Sequence, residues 1–398
     1  MESVPARAQP RRVALLIETS RAYGRDLLVG IAQYVRIHGP WSIELEEGDP
    51  SERLPGWFKR WRGDGVLARV KTPEIAAALK KLRVPAVDLY GGLPEVNMPT
   101  VRSDEPAVGR MAAEHLLERG FRQFAFCGFN GTDWSDRRRE GFEKCILQAG
   151  FPCQTFINPP PEAVAPTGEY EEHGAQSERE LRRWLRELPK PTGLMACNDS
   201  RARQVLNTCL RLKLAVPDEV AVIGVDKDEV LCELSELPLS SVILNTERIG
   251  FEAAALLNDM MSGQPPRSQD LFVTPRGVAT RHSTDVLAVD DPQVSSALRL
   301  IREHACERLD VPDLLQAVGL SRSSLERRFA QVLGRSPKAE ILRVRLQRAK
   351  QLLMDSQLPL SSVAEKAGFE HPEHMSRLFK KKIGVTPGQF RAQSQTRR

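Results

Sequence analysis

Ser323, Glu326 and Arg327 share one face of a short helical stretch whose other face carries Leu325 and Phe329. Further along, Glu373, His374 and Arg377 repeat the arrangement beside Met375 and Phe379. Spacings of three and four residues place the polar set outward and the apolar pair inward. A guanidinium can take O6 and N7 of guanine, and a carboxylate accepts from N4 of cytosine. Each good pair discriminates by roughly 1–3 kcal/mol. Arg322, Arg328, Arg335, Lys338 and the run Lys380-Lys381-Lys382 suit phosphate oxygens, which fix register without reading sequence. Each cluster follows a helix of about two turns and a tight turn, at Gly319 or Gly368. That is the layout of a helix-turn-helix, whose second helix enters the major groove.

A second set of chemistry-bearing residues sits just after short apolar runs: Tyr23, Arg25, Asp104, Trp134, Arg138, Asn198, Asp199 and Asp226. Asn and Asp can bond hydroxyls, Arg adds a rigid fork of donors, and Tyr and Trp offer flat faces. Together they suit a small polyhydroxylated ligand such as a sugar. Each also has a structural alternative. Asp226 and Asp199 could cap helices. Trp134 could pack in the core, and Tyr23 and Arg25 could be a helix start with a surface charge. His371 and His374 have no further ligand nearby, so no metal is expected. The chain shows no GxGxxG, Walker A, GxSxG or HExxH pattern, which argues against an enzyme and against a cofactor.

The apolar runs imply the elements that must hold this second set. Val13–Glu18, Gly65–Val70, Phe124–Gly128, Thr192–Ala196 and Val220–Val225 are short and apolar, as buried parallel strands are. Helical periodicity intervenes at Leu27–Val35, Pro73–Leu82, Met111–Leu116, Asp133–Ala149, Leu181–Leu188, Arg201–Leu212 and Asn245–Met261. Strand and helix in alternation predict an α/β fold. The pattern restarts after Thr100–Asp104, which predicts two doubly wound parallel sheets facing a cleft, with Leu271–Thr274 and Gly277–Thr280 closing it. Ligands in such folds sit beyond the carboxyl ends of the strands. The Pro-rich stretch 158–168 reads as a surface loop.

Ser103-Asp104, Asn198-Asp199, Val222-Ile-Gly-Val-Asp226 and Arg281-His-Ser-Thr284 resemble the LacI/GalR regulators and the sugar-binding periplasmic proteins. The resemblance implies a bilobed periplasmic-binding-protein-like sensor that holds a small sugar or nucleobase. Here the first strand starts near Val13, which leaves no room before it for the N-terminal helix-turn-helix of LacI/GalR proteins. Gly319-Leu-Ser, Leu325-x-Arg-x-Phe329, Arg345-Leu-x-x-Ala-x-x-Leu-Leu353, Arg377-x-Phe379 and Gly384-Val-Thr-Pro387-x-x-Phe-Arg391 resemble the AraC/XylS family. That likeness implies an all-α domain with two helix-turn-helix units, and puts its base-contacting positions on Ser323, Glu326, Arg327, Glu373, His374 and Arg377. Met375 stands where the family usually has Phe. Tyr23-Gly-Arg25, Trp61-x-Gly-Asp-Gly65 and Arg299-x-Ile-Arg-x-His-Ala-Cys306 extend the likeness to regulators of xylose operons. It implies an activator that works as a homodimer with promoter DNA, a sugar effector and RNA polymerase.

The expected organisation is a tail over 1–11, an effector domain over 12–284, a link over 285–293, a DNA-binding domain over 294–392 and a basic tail over 393–398. The two helix-turn-helix units fall at about 311–332 and 359–382. Charge follows the same division. Residues 294–398 hold 20 Lys and Arg against 10 Asp and Glu, a net +10, and the rest of the chain is −5. A basic end on an acidic body points to a polyanion partner for that end alone. The seven cysteines are scattered and include no CxxC pair, as in reduced cytosolic proteins. No apolar h-region precedes Arg12 and no apolar run approaches a membrane span, so a cytoplasmic location and no membrane partner are expected.

Overall fold

A computed structural model describes residues 10–50, 53–93, 97–158, 175–285, 291–307 and 309–395. The expected surface loop beyond Asn158, residues 1–9 of the N-terminal tail, 286–290 of the link and 396–398 of the basic tail lie outside the described residues. The chain forms two compact units that divide after Thr284, except that Arg119–Phe121 group with the second.

The first unit begins with β1 (Arg11–Leu16), α1 (Ala22–His38), β2 (Trp41–Leu45), β3 (Gly65–Ala68), α2 (Pro73–Leu82), β4 (Ala86–Asp88) and β5 (Thr100–Ser103). It continues with α3 (Glu105–Leu117), β6 (Gln123–Phe129), α4 (Asp133–Gln148), β7 (Cys153–Asn158), α5 (Ala175–Glu187), β8 (Thr192–Ala196) and α6 (Asp199–Arg211). Then come β9 (Val220–Val225), α7 (Glu229–Glu233), β10 (Ser240–Ile243), α8 (Thr246–Met261), β11 (Asp270–Val273) and β12 (Gly277–Ala279). One sheet runs β11-β5-β4-β3-β1-β2 and is parallel throughout; the other runs β12-β10-β9-β8-β6-β7, with only β12 antiparallel. Alternation along β1 shows why its run is apolar on both faces. Val13 and Leu15 enter the core under α1 and α8, while Ala14 and Leu16 enter the core on the other side.

The two-lobe reading of the sequence holds, but its boundary does not follow chain order. The helix at Asn245–Met261 and the strand after it read as parts of the second half. Instead α8 packs on α1, and β11 extends the first sheet by pairing Asp270–Val273 with Thr100–Ser103. Periodicity reports an element, not the sheet it joins. Glycines enforce the helix crossing: a Cβ at Gly30 would lie 1.9 Å from the Glu247 carbonyl oxygen, and one at Gly250 2.1 Å from that of Leu27. Strands β7 and β10 had no clear signal in the sequence, and both are short and partly polar.

The chain therefore crosses between lobes three times, at Asp104, at residues 244–245 and at residues 274–276. The crossings are laced together: Asp104 N donates to Val273 O at 3.0 Å and Arg276 N to Ile243 O at 2.8 Å.

The second unit is helical: α9 (Pro292–His304), α10 (Val311–Val318), α11 (Arg322–Leu333), α12 (Pro337–Asp355), α13 (Leu360–Lys366), α14 (Pro372–Ile383) and α15 (Pro387–Gln395). It has two small cores. Val294, Leu298, Ile301 and Ala305 of the α9 region meet Leu314, Leu325, Phe329 and Ile341. Leu346, Ala349 and Leu353 meet Val363, Ala367, Met375 and Phe379. Helix α12 thus serves both cores, one with each end. Arg345 on it donates to the carbonyls of Ala305 and Leu309, at 2.7 and 2.9 Å. Leu314 and Val318 of α10 pack with Leu325 and Phe329, while Ala317 is exposed.

Candidate functional site

Two sites emerge, one in each unit. In the first unit a cleft between the lobes is lined by Glu18, Arg21, Tyr23, Arg69, Lys71, Leu89, Tyr90 and Arg102 on one side. Glu105, Trp134, Arg138, Asn198 and Asp226 line the other. Of the eight residues singled out in the sequence, five lie here: Tyr23, Trp134, Arg138, Asn198 and Asp226.

On the first lobe Glu18 is fully buried and ion-pairs with Arg69 and, at 3.7 Å, with Lys71. The Arg69 guanidinium lies 4.8 Å from the centre of the Tyr23 ring and 5.5 Å from that of Tyr90, within cation–π reach of both. Burial pushes the Tyr23 phenol up to about 12, with Arg69 opposing, so it remains a neutral donor at physiological pH. The Tyr90 phenol is raised for the same reason. On the second lobe Arg138 is 3 % exposed and donates to Glu105 Oε2 at 2.5 Å and to Cys197 O at 2.7 Å. It stands 3.6 Å from Asp226 Oδ1 and over the Trp134 ring at 5.0 Å. Burial alone would lower its guanidinium, but Glu105 and Asp226 outweigh burial and keep it charged. Its backbone is held close to α3, because a Cβ at Gly109 would lie 2.0 Å from the Arg138 carbonyl oxygen.

This arrangement can do one thing well. Aromatic faces suit the apolar C–H faces of a small ring, and fixed carboxylates and guanidinium groups suit hydroxyls around its edge. Charge-assisted hydrogen bonds of this kind are about twice as strong as neutral ones.

Three singled-out residues do not line the cleft. Arg25 is exposed and folds back on the carbonyls of Thr19 and Ser20, at 3.0 and 2.8 Å. Asp104 caps α3 by accepting from Ala107 N at 3.0 Å, and occupies the first lobe crossing. Asp199 is buried beneath the cleft wall and accepts from Ser241 Oγ at 2.7 Å and Asp228 N at 2.8 Å. The structural alternatives for the Asp pair also shift by a residue or two. Asn198, not Asp199, caps α6 through Arg201 N at 2.8 Å, and Asp228, not Asp226, caps α7. Glu18, Arg69, Lys71, Tyr90, Arg102 and Glu105 join the site from outside the singled-out set. Glu18, Lys71 and Tyr90 follow or end apolar runs, which was the available signal. Arg102 lies inside a strand, where sequence offers none.

In the second unit Ser323, Glu326 and Arg327 are exposed on α11, and Glu373, His374 and Arg377 are exposed on α14. The geometry behind them is regular. Asp310 and Asp313 form a capping box at the start of α10, Gly319 ends it in the left-handed region (φ 65°), and Ser321 caps α11. Gly368 does the same between α13 and α14 (φ 80°), where a Cβ would meet Cys306 Cα at 2.7 Å. Lys338, Lys380, Lys381 and Lys382 are exposed. All three arginines assigned to phosphate have a carboxylate partner. Arg328 bonds Asp291, the α9 cap, at 2.8 Å, and Arg335 pairs with buried Glu340 at 2.6 Å. Arg322 pairs with Glu326 at 3.1 Å on the exposed face, where DNA could exchange the partner. Partnering of this kind cannot be read from spacing.

An effector cleft between two α/β lobes, followed by paired helix-turn-helix units, defines a ligand-responsive DNA-binding regulator. Residues 12–101 match the XylR N-terminal domain, residues 113–284 the periplasmic binding protein-like domain and residues 314–393 a helix-turn-helix domain. The xylose operon regulatory protein of Escherichia coli K12 is 32 % identical over 388 residues, 96 % of each chain. That of Haemophilus influenzae is 31 % identical over 96 % of this chain and 98 % of its own. The solved structure of the xylose-binding transcription activator xylR superposes with a TM-score of 0.65 at 31 % identity, covering 96 % of this chain and 98 % of that one. The chain belongs to the family of xylose operon regulatory proteins. It is a sugar-responsive DNA-binding transcription regulator and not an enzyme.

Proposed function

We propose that this regulator is a transcription activator whose effector is xylose or a closely related monosaccharide bound between the lobes. The carrying observation is the cleft itself, where Tyr23 and Trp134 bring flat faces from opposite lobes among the Glu18–Arg69 and Glu105–Arg138–Asp226 charge clusters. The solved relative described as a xylose-binding activator supports the choice of sugar. In this reading Tyr23, Trp134, Arg138, Asn198 and Asp226 contact the sugar. Ser323, Glu326, Arg327, Glu373, His374 and Arg377 read bases, and Lys338 and Lys380–Lys382 hold phosphates. The effector domain spans 12–284 and the DNA-binding domain 294–392, with α9 already beginning at Pro292 inside the joining stretch 285–293. The chain works as a homodimer with RNA polymerase in the cytoplasm.

The three lobe crossings supply the hinge. Sugar bridging the lobes favours the closed arrangement, and it can shift that equilibrium only by its differential affinity for the two states. A calorimetric screen of pentoses and hexoses against the full chain tests the reading, with xylose expected to bind tightest. A hexose preferred over every pentose overturns the choice of sugar. Crystal structures with and without xylose that share one lobe angle overturn the closure.

A further inference from the structure

Asp226 reaches the cleft from an unusual backbone. It and Lys227 both adopt positive φ, 103° and 56°, which side chains with a Cβ rarely do. Something must hold the turn, and what holds it is polar and buried. Asp199 Oδ2 accepts from Asp228 N at 2.8 Å and more weakly from the Cys232 thiol at 3.6 Å. Asp199 Oδ1 accepts from Ser241 Oγ at 2.7 Å, and the same Ser241 oxygen accepts from Lys227 N at 2.9 Å. Asp226 N itself donates to Val242 O at 3.2 Å. All three successive amides of the turn are therefore tied to α6 or β10. Gly224 is what lets the carboxylate in, since a Cβ there would lie 2.3 Å from Asp199 Oδ1.

We propose that Asp199, with Ser241 and Gly224, is a positioning residue for the effector: a buried brace that holds the 226–228 turn in its strained form and so aims Asp226 at Arg138 and the bound sugar. The inference rests on the reading of Asp226 as a cleft residue that contacts the effector. Asp199 acts only through the turn, because its own carboxylate is 1 % exposed and does not line the cleft. An Asn in its place can accept from Asp228 N and donate to Ser241 Oγ, whereas Ala can do neither.

Xylose binding to the full chain, followed by calorimetry together with the thermal midpoint, distinguishes the roles. Asp199→Ala is expected to weaken xylose by about tenfold or more, and Asp199→Asn to stay within about threefold of the parent. Ser241→Ala is expected to weaken binding in the same direction, and it carries the comparison if Asp199→Ala does not fold. In an Asp226→Ala background, Asp199→Ala should add less than about twofold, because coupled residues are non-additive. Full additivity, or a lowered midpoint with unchanged xylose affinity in Asp199→Ala and Ser241→Ala, overturns the brace. If Asp226→Ala binds xylose like the parent, the reading of the cleft falls and the brace with it. If Asp226→Ala loses affinity while Asp199→Ala and Ser241→Ala keep it, the brace alone falls.

Discussion

Arg327 and Lys381 are both exposed cations, yet they carry different expectations. Arg327 stands one helical turn from Ser323 on the outward face of α11, where a fork of donors can meet guanine. Arg327→Ala should cost about 1–3 kcal/mol at one base pair and relax specificity there. Lys381→Ala should weaken every sequence alike and flatten the salt dependence by about one ion. Binding titrations against a panel of single-base operator variants at two salt concentrations read both effects, and identical behaviour of the two variants would refute the division of roles. Tyr23 permits a test by pH. Its folded phenol is pushed up to about 12, above the ordinary tyrosine value. The unfolded phenol ionises first, near about 10. The contribution of Tyr23 to stability is therefore intact below about 10 and is lost as pH rises toward about 12. A Tyr23→Phe chain should lack that part of the alkaline decline in denaturant midpoint.

At the scale of elements, small details of backbone geometry set the positions of both sites. Ser321 accepts from Ser324 N and starts α11 at Arg322, which sets where Ser323, Glu326 and Arg327 fall on its exposed face. Ser321→Ala should cost about 1 kcal/mol. The loss should appear in urea unfolding of the DNA-binding unit and leave sugar binding untouched. The crossing of α1 and α8 depends on Gly30 and Gly250, where backbone meets backbone. Gly250→Val should destabilise the first unit by about 1–3 kcal/mol or more, as overpacking does. A lowered midpoint there with an unchanged second-unit transition is the expected result. Only the first of these is legible in the sequence. The Ser321 cap follows from its place before an amphipathic run, but nothing in the order of residues announced which helix Gly250 would meet.

For the whole molecule, charge and linkage make the predictions. The net +10 of residues 294–398 against −5 elsewhere confines polyanion affinity to one end of the chain. Operator affinity should therefore fall steeply with salt, by the counterions that several phosphate contacts release. A salt-independent affinity would contradict the assignment. Sugar at a hundredfold excess over its dissociation constant should stabilise the first unit by about 2.7 kcal/mol. The second unit should show no such shift when it melts separately.

The order of residues by itself determined most of the element types, though not β7 or β10, and the two lobes and the pair of helix-turn-helix units. These follow from local periodicity, capping and short motifs, which are properties of neighbours in the chain. It also placed Tyr23, Trp134, Arg138, Asn198 and Asp226 as candidates, because strand ends gather at a cleft in parallel sheets. Tertiary structure decided the rest. It brought α8 and β11 back to the first lobe, set Arg69 between two tyrosines and tied Arg328 and Arg335 into the fold. It turned Asp199 inward to accept from Asp228 N and Ser241 Oγ rather than outward to the cleft. Those outcomes depend on which distant partner satisfies a buried charge or fills a crossing, and spacing along the chain carries no information about that partner.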